Sequence, residues 1–246
     1  MVRVNVKSYP IDLNADLGEG GLHDEALLQI VTSANIACGG HTGDQQTMTV
    51  AVKAAVENNV KIGAHPSYPD PINFGRAPMD ISNQALRESI SEQIRALKSV
   101  CERLNAEMFH VKPHGAFYNK VAKDEAMGLI LIEVIKQVDP SLKLMILAGS
   151  PLVKQAELAG LTVIQEAFAD RAYLNDGSLA PRDREGAVIH DRQTALTQVK
   201  QFIAQQPITS LDGQPLTVKA DTLCLHGDNE HALEFARSIY QIIQTQ

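Results

Sequence analysis

The sequence predicts an α/β fold in which seven parallel strands and the helices between them close, or nearly close, into a (β/α) barrel. Seven short apolar runs alternate with amphipathic segments of helical period, the pattern of a parallel sheet with helical crossovers. The long connections follow strands, so they gather at the carboxyl ends where such folds place their sites. Charged residues also stand inside strands, and they need a shared lumen, which a closed barrel supplies and an open sheet does not.

The first strand is Ile11-Asp12-Leu13-Asn14-Ala15-Asp16-Leu17, whose strict alternation puts the apolar residues on one face and Asp12, Asn14 and Asp16 on the other. Residues 24–33 read as a short helix. Ala34 to Cys38 is the second strand and runs into Gly39-Gly40-His41-Thr42-Gly43-Asp44. Asp44 is an N-cap candidate for a helix from Gln45 to Asn58 with a stripe of Met48, Val52, Ala55 and Val56. The third strand, Val60 to His65, leads into PSYPDPINFGRAPMD, a loop with four prolines and two aromatics and too particular for a plain connector. Ser82 then caps a helix reaching about Asn105, with Leu86, Ile90, Ile94, Leu97, Cys101 and Leu104 facing inward.

The fourth strand, Met108 to His114, lines up His110, Lys112 and His114 on one face. A helix follows through Gly128 to Val138, then a fifth strand, Lys143 to Ala148. Ser150 with Pro151 starts the next helix and Gly160 stops it. The sixth strand, Leu161 to Ala167, carries Glu166 and continues to Asp170 and Arg171. Residues 172–189 form a polar loop expected to act as a flap. A helix from Asp191 to about Gln205 follows, then a tight turn at Leu211-Asp212-Gly213-Gln214 between short strands. The seventh strand, Thr222 to His226, leads to Asp228 and a final helix from Asn229 to about Ile243.

At 246 residues, with no stretch of linker composition, the chain is expected to be one domain over 1–246, residues 1–10 being a short extension. The 22 Lys and Arg against 29 Asp and Glu give a charge of -7, spread along the chain, which argues against a nucleic-acid groove. No apolar run approaches the roughly 20 residues of a membrane span, and the first ten residues lack a signal-peptide core, so a cytoplasmic protein is expected. Cys38, Cys101 and Cys224 form no C-x-x-C pair, so reduced thiols are expected, Cys101 in the core.

Convergence of the strand ends would bring together Asp12, Asn14, Asp16, Glu19, His41, Asp44, His65, Lys112, His114, Glu166, Asp170, Arg171, His226 and Asp228. Carboxylates and histidines exchange protons near neutrality once burial tunes them, and Lys112 and Arg171 suit a carboxylate or phosphate. The set suits hydrolysis of an anionic or phosphorylated small molecule. Plainer roles compete: Asp44 and Asp228 as helix caps, His110 as a hydrogen-bonded core residue, His23 and His231 as surface. Neither a Walker-type loop nor G-x-G-x-x-G is present, and no G-x-S-x-G elbow offers a serine nucleophile.

The segments IDLNADLGEG (11–20), SANIACGGHTGD (33–44), IGAHPSYPD (62–70), NFGR (73–76), HVKPHGAFYN (110–119), FADRAYLNDGSLAPR (168–182) and LCLHGD (223–228) together resemble the LamB/YcsF family. The chain departs from the family's usual pattern in its extra residues before the first strand and in Gly40 and Thr42 beside His41. The resemblance implies a seven-stranded barrel of the glycoside hydrolase/deacetylase type. It further implies a role as one component of an ATP-dependent 5-oxoprolinase, working with B and C subunits to convert 5-oxo-L-proline to L-glutamate. On that footing Asp16, His65, His114 and Glu166 are expected to move protons. Asp12, Asn14, His41, Lys112, Asp170, Arg171, His226 and Asp228 are expected to bind substrate, with Lys112 and Arg171 holding its carboxylate or phosphoryl group. Which component of the complex holds ATP stays open, as does a divalent metal. Two alternatives stand beside this reading: a metal-dependent deacetylase of carbohydrate amides using Asp16, His41 and His65, and a non-catalytic subunit that presents substrate.

Overall fold

The computed structural model describes residues 11–225 and 232–245. In chain order its strands are β1 (Asp12–Leu17), β2 (Ser33–Ala37), β3 (Lys61–His65), β4 (Met108–Val111), β5 (Lys143–Leu147), β6 (Val163–Phe168), β7 (Ile208–Thr209), β8 (Pro215–Leu216) and β9 (Thr222–Leu225). Seven of them close a parallel barrel in the order β1-β2-β3-β4-β5-β6-β9, and β7 and β8 form a separate antiparallel pair around the expected turn. The helices are α1 (Asp24–Leu28), α2 (Gln45–Glu57), α3 (Asn83–Arg103), α4 (Gly115–Val121), α5 (Glu125–Val138), α6 (Pro151–Leu158), α7 (Arg192–Ile203) and α8 (Ala232–Gln244). The start expected for the last helix lies outside the described residues.

Alternation along β1 works as anticipated. Leu13, Ala15 and Leu17 are buried in the apolar core, while Asn14 and Asp16 turn into the lumen and bond to side chains from other strands. Closure staggers the strands: Asp12 pairs with Thr222, and Thr222 with Glu166, so the fourth residue of β6 stands in register with the first residues of β9 and β1.

Three of the expected N-caps are made by side-chain hydrogen bonds, whereas Ser150 stands at the N-cap position of α6 without one, and Pro151 begins that helix. Asp44 accepts from the backbone N–H of Gln46 and Thr47 in a reciprocal capping box, Ser82 accepts from Ala85 N, and Asp191 from Thr194 N. Leu86, Ile90, Ile94, Leu97 and Cys101 form the buried face of α3. Val56, expected in the stripe of α2, is exposed, and Ala51 takes its place. The first helix stops at Leu28 because residues 29–31 turn to deliver the chain to β2. Strand β4 stops at Val111, close to Pro113, which has no N–H for a ladder, and α4 begins directly after His114. That seven-residue helix is too short to leave a periodic signal. All three cysteines are buried and unpaired. Among the described residues, no helix is long and apolar enough to cross a membrane.

Candidate active site

The carboxyl ends of the barrel strands surround a cavity of about 300 Å³. Asp16, Glu19, His65, Lys112 and His114 line it from the barrel side, Tyr118 and Asn119 from α4, Phe168 from the end of β6, and Arg171, Leu179 and Arg182 from the chain after β6. Arg76, from the proline-rich loop after β3, completes the wall and stands 5.1 Å from the Phe74 ring centroid.

Lys112 is the pivot of the lumen. Its Nζ lies 2.8 Å from Asp16 Oδ1 and 2.8 Å from Glu166 Oε1, and it donates to Asn14 Oδ1 (3.2 Å) and Cys224 Sγ (3.2 Å). Burial by itself would discharge the amine, but Asp16 and the other anionic neighbours hold its pKa well above the ordinary lysine value. Burial likewise opposes ionisation of Asp16, and the charges of His65 and Lys112 hold its carboxyl well below the usual range. Asp16 Oδ1 also accepts from Asn35 Nδ2 at 2.9 Å, which leaves Oδ2 facing His65 Nε2 at 3.4 Å.

The histidine tautomers follow from their partners, since a carbonyl oxygen can only accept. His65 Nδ1 donates to the Lys112 carbonyl at 2.7 Å, and His114 Nε2 donates to the Phe74 carbonyl at 3.0 Å. The inner nitrogens, His65 Nε2 and His114 Nδ1, then face each other at 3.0 Å. Burial would lower the pKa of His65, but the Asp16 carboxylate more than offsets it and raises the value. Burial and the charge of His65 push His114 down to about 3. The proton between the rings therefore sits on His65. His41 is stacked flat on His114, with centroids 3.7 Å apart, and donates from Nε2 to Glu19 Oε1 at 2.8 Å. Burial and His65 depress its pKa to about 3 as well. The loop geometry is demanding here: Phe74 and Gly75 have φ of 54° and 63°, and a Cβ at Gly75 would come within 3.1 Å of His41, Ser67 and His114.

Asp16, Glu19, His41, His65, Lys112 and His114 thus meet as expected, Arg171 lines the same cavity, and the other described candidates do not line it. Asp12, expected to bind substrate, lies at the opposite end of the barrel. It accepts from Thr32, Ser33 and Thr222 hydroxyls at 2.7–2.8 Å and from Lys61 Nζ at 2.9 Å, and Ser33, Lys61 and Thr222 begin their strands. Asn14 is fully buried one layer higher, bonded to Thr222, Asn35 and Lys112, and does not reach the cavity. Glu166, expected to move protons, is fully buried behind Lys112, where burial and its charge keep the Tyr118 phenol protonated. Arg171, expected to grip substrate, lines the cavity but gives its Nη2 to the Ala180 carbonyl at 2.6 Å and its Nε to that of Ala187 at 3.3 Å, tying down the flap of 172–189. Lys112 likewise already holds two carboxylates. Asp170 stands beside Arg171 and does not line the cavity. His226 and Asp228 lie outside the described residues.

His110 is a core residue as expected, donating from Nε2 to Asn35 Oδ1 at 2.6 Å. Asn35, which links Asn14, Asp16 and His110, is not legible in the sequence because the run from Ala34 to Cys38 is otherwise apolar. Gly63 is its one legible companion: a Cβ there would sit 2.1 Å from His110 Nε2, the close approach that a glycine inside a strand signals. Arg76 and Arg182 also fall outside the expected set, although each ends a segment that carries the family resemblance. Among the described residues, two groups bring possible metal-ligand atoms within 4.8 Å of one another, Asp16 with His65 and His114, and Glu19 with His41 and His114.

The family model described as LamB/YcsF family matches residues 11–246. The chain is 48% identical over 234 residues to a Haemophilus influenzae (strain PittEE) protein named as the A subunit of 5-oxoprolinase, covering 95% of this chain and 96% of that one. It is 48% identical over 229 residues to a protein of the same name from Histophilus somni (strain 129Pt), covering 93% of each. Among solved structures, the lactam utilization protein from Thermus thermophilus superposes with a TM-score of 0.89 at 37% identity, covering 96% of both chains.

Proposed function

The chain belongs to the LamB/YcsF family, and from that premise we propose that it is the A subunit of a cytoplasmic, ATP-dependent 5-oxoprolinase that opens the lactam of 5-oxo-L-proline to L-glutamate. The observation that carries this reading is near-half identity, over almost the whole of both chains, with proteins named for that subunit. The cavity supports it. Its size suits a small molecule, and its lining includes Asp16, His65 and His114 in proton contact and the arginines Arg76 and Arg182.

An unstrained five-membered lactam is a poor electrophile. Phosphorylation of its amide oxygen by ATP, bound within a complex with B and C subunits, would make the ring carbon electrophilic; water would add there, the C–N bond would break with the ring nitrogen leaving as the protonated amine, and a second water would split the resulting acyl phosphate into L-glutamate and phosphate. In this reading His65, charged and held by Asp16, gives a proton to the departing ring nitrogen, and neutral His114 takes one from the attacking water. Lys112 keeps Asp16 ionised, and Glu166 keeps Lys112 in place.

The decisive assay is ATP-dependent glutamate formation from 5-oxoproline, with this chain alone and then with its partner subunits. Activity is expected in the assembled complex and is expected to vanish with Asp16→Ala, His65→Ala or His114→Ala while the fold survives. Near-normal turnover in all three variants, or hydrolysis of acetylated sugars in place of 5-oxoproline, would overturn the reading.

A further inference from the structure

We propose that Asp16, His65 and His114 form a binding site for one divalent transition-metal ion at the floor of the cavity. For its purpose, though not its existence, the site rests on the lactam-hydrolase reading.

Backbone carbonyls set the geometry. Those of Lys112 and Phe74 fix the N–H on the outer nitrogen of His65 and of His114. In the neutral rings the lone pairs then lie on His65 Nε2 and His114 Nδ1, pointing at each other across 3.0 Å. Two lone pairs held at that distance repel, so a positive centre must occupy the space between them, either a proton or a cation. Asp16 adds an anionic oxygen to the same space. Its Oδ1 is taken by Lys112 and Asn35, and Oδ2 is turned to His65 Nε2 at 3.4 Å. Glu19 Oε1, held by His41, lies 3.4 Å from His114 Nδ1 and 3.8 Å from His65 Nε2 and adds negative charge on the far side.

These spacings admit a cation in place of the proton. Ligands held about 2.1 Å from a metal sit about 3.0 to 3.4 Å apart, depending on coordination geometry, and the His65–His114 and Asp16–His65 separations fall within that span. Donation of each outer N–H to a carbonyl is also the support that orients metal-ligating histidines. The Phe74 carbonyl reaches His114 only because Phe74 and Gly75 adopt left-handed backbone. Finally, all three residues border the cavity, so coordination positions stay open to water or substrate.

Two imidazoles and a carboxylate favour zinc, iron, cobalt or manganese over magnesium or calcium, which prefer oxygen alone. Such an ion would displace the proton from His65 Nε2 and, in place of the acid role of that proton, would supply Lewis acidity toward a lactam carbonyl or a bound water.

The test uses the full chain, stripped with chelator and dialysed against Co²⁺. About one Co²⁺ per chain is expected, with visible d–d absorption and a raised melting temperature. His65→Gln and His114→Gln should each weaken Co²⁺ binding by about 100-fold or more, while His23→Ala should leave the spectrum unchanged. Should either glutamine variant fail to fold, ¹⁵N spectra of the wild-type chain titrated with Zn²⁺ decide. Shifts confined to His65 Nε2, His114 Nδ1 and their immediate surroundings support the site. Absence of stoichiometric uptake, or a cobalt spectrum indifferent to both glutamine variants, overturns it. Glutamate formation is assayed separately, so uptake without lactam hydrolysis would sink the functional reading and leave the metal site standing.

Discussion

Asp12 and Asp16 lie four residues apart on one face of β1, and each is joined to a lysine, Lys61 of β3 and Lys112 just past β4, yet they face different tasks. At Asp12 the remaining partners are three hydroxyls, from Thr32, Ser33 and Thr222, which do not change charge near neutrality and which leave the carboxylate satisfied on both oxygens. At Asp16 one oxygen is equally occupied, but the other faces an imidazole with a second imidazole behind it and a cavity above. The contrast shows that a buried carboxylate–lysine pair is not in itself a functional sign. What separates the two ends is whether the neighbours can titrate and whether a ligand can reach them.

The comparison can be broken most sharply at Asp16. Asp16→Asn keeps the side chain's size and leaves Lys112 its Glu166 partner, so turnover in the reconstituted complex is expected to fall about 10²–10⁴-fold with the urea midpoint nearly unchanged. Retained turnover would make the two ends of the strand equivalent. The complementary change, Asp12→Ala, should cost about 2–4 kcal/mol of stability, discounted for the partial exposure of Lys61, and leave turnover per folded molecule within about twofold. A selective loss of kcat there would mean that the bottom of the barrel communicates with the cavity.

The acid limb of stability sharpens the contrast further. Burial would raise the pKa of Asp12, but Lys61 and the hydroxyl donors outweigh it and lower the value. A depressed folded-state pKa means that this stabilisation is complete above the unfolded value near 3.9 and is lost as pH falls through the folded one. Urea unfolding from about pH 5 down to 2 should therefore show a shallower decline in Asp12→Asn than in the wild-type chain. Parallel curves would remove Asp12 from the acid response. The smallest effect is expected from Thr222→Val, whose hydroxyl donates to Asp12 and accepts from Asn14. A loss of about 1–2 kcal/mol, with no change in activity, would confirm that this hydroxyl only braces the lower lumen.

The sequence by itself determined the side on which each residue lies. Period-two alternation put Asp12, Asn14 and Asp16 on one face of β1 and lined up His110, Lys112 and His114, and Asp44, Ser82 and Asp191 announced their helices, because these effects depend on neighbours a few residues away. Only the tertiary structure decided depth and occupancy. The stagger of the closed barrel sent Asp12 to the bottom and Glu166 behind Lys112, and the flap carbonyls of Ala180 and Ala187 claimed Arg171. A left-handed turn at Phe74 and Gly75 fixed the tautomer of His114 from about forty residues away. Periodicity is a property of the local chain, whereas the partner that satisfies or frees a buried polar group is set by closure over distances that no local pattern records.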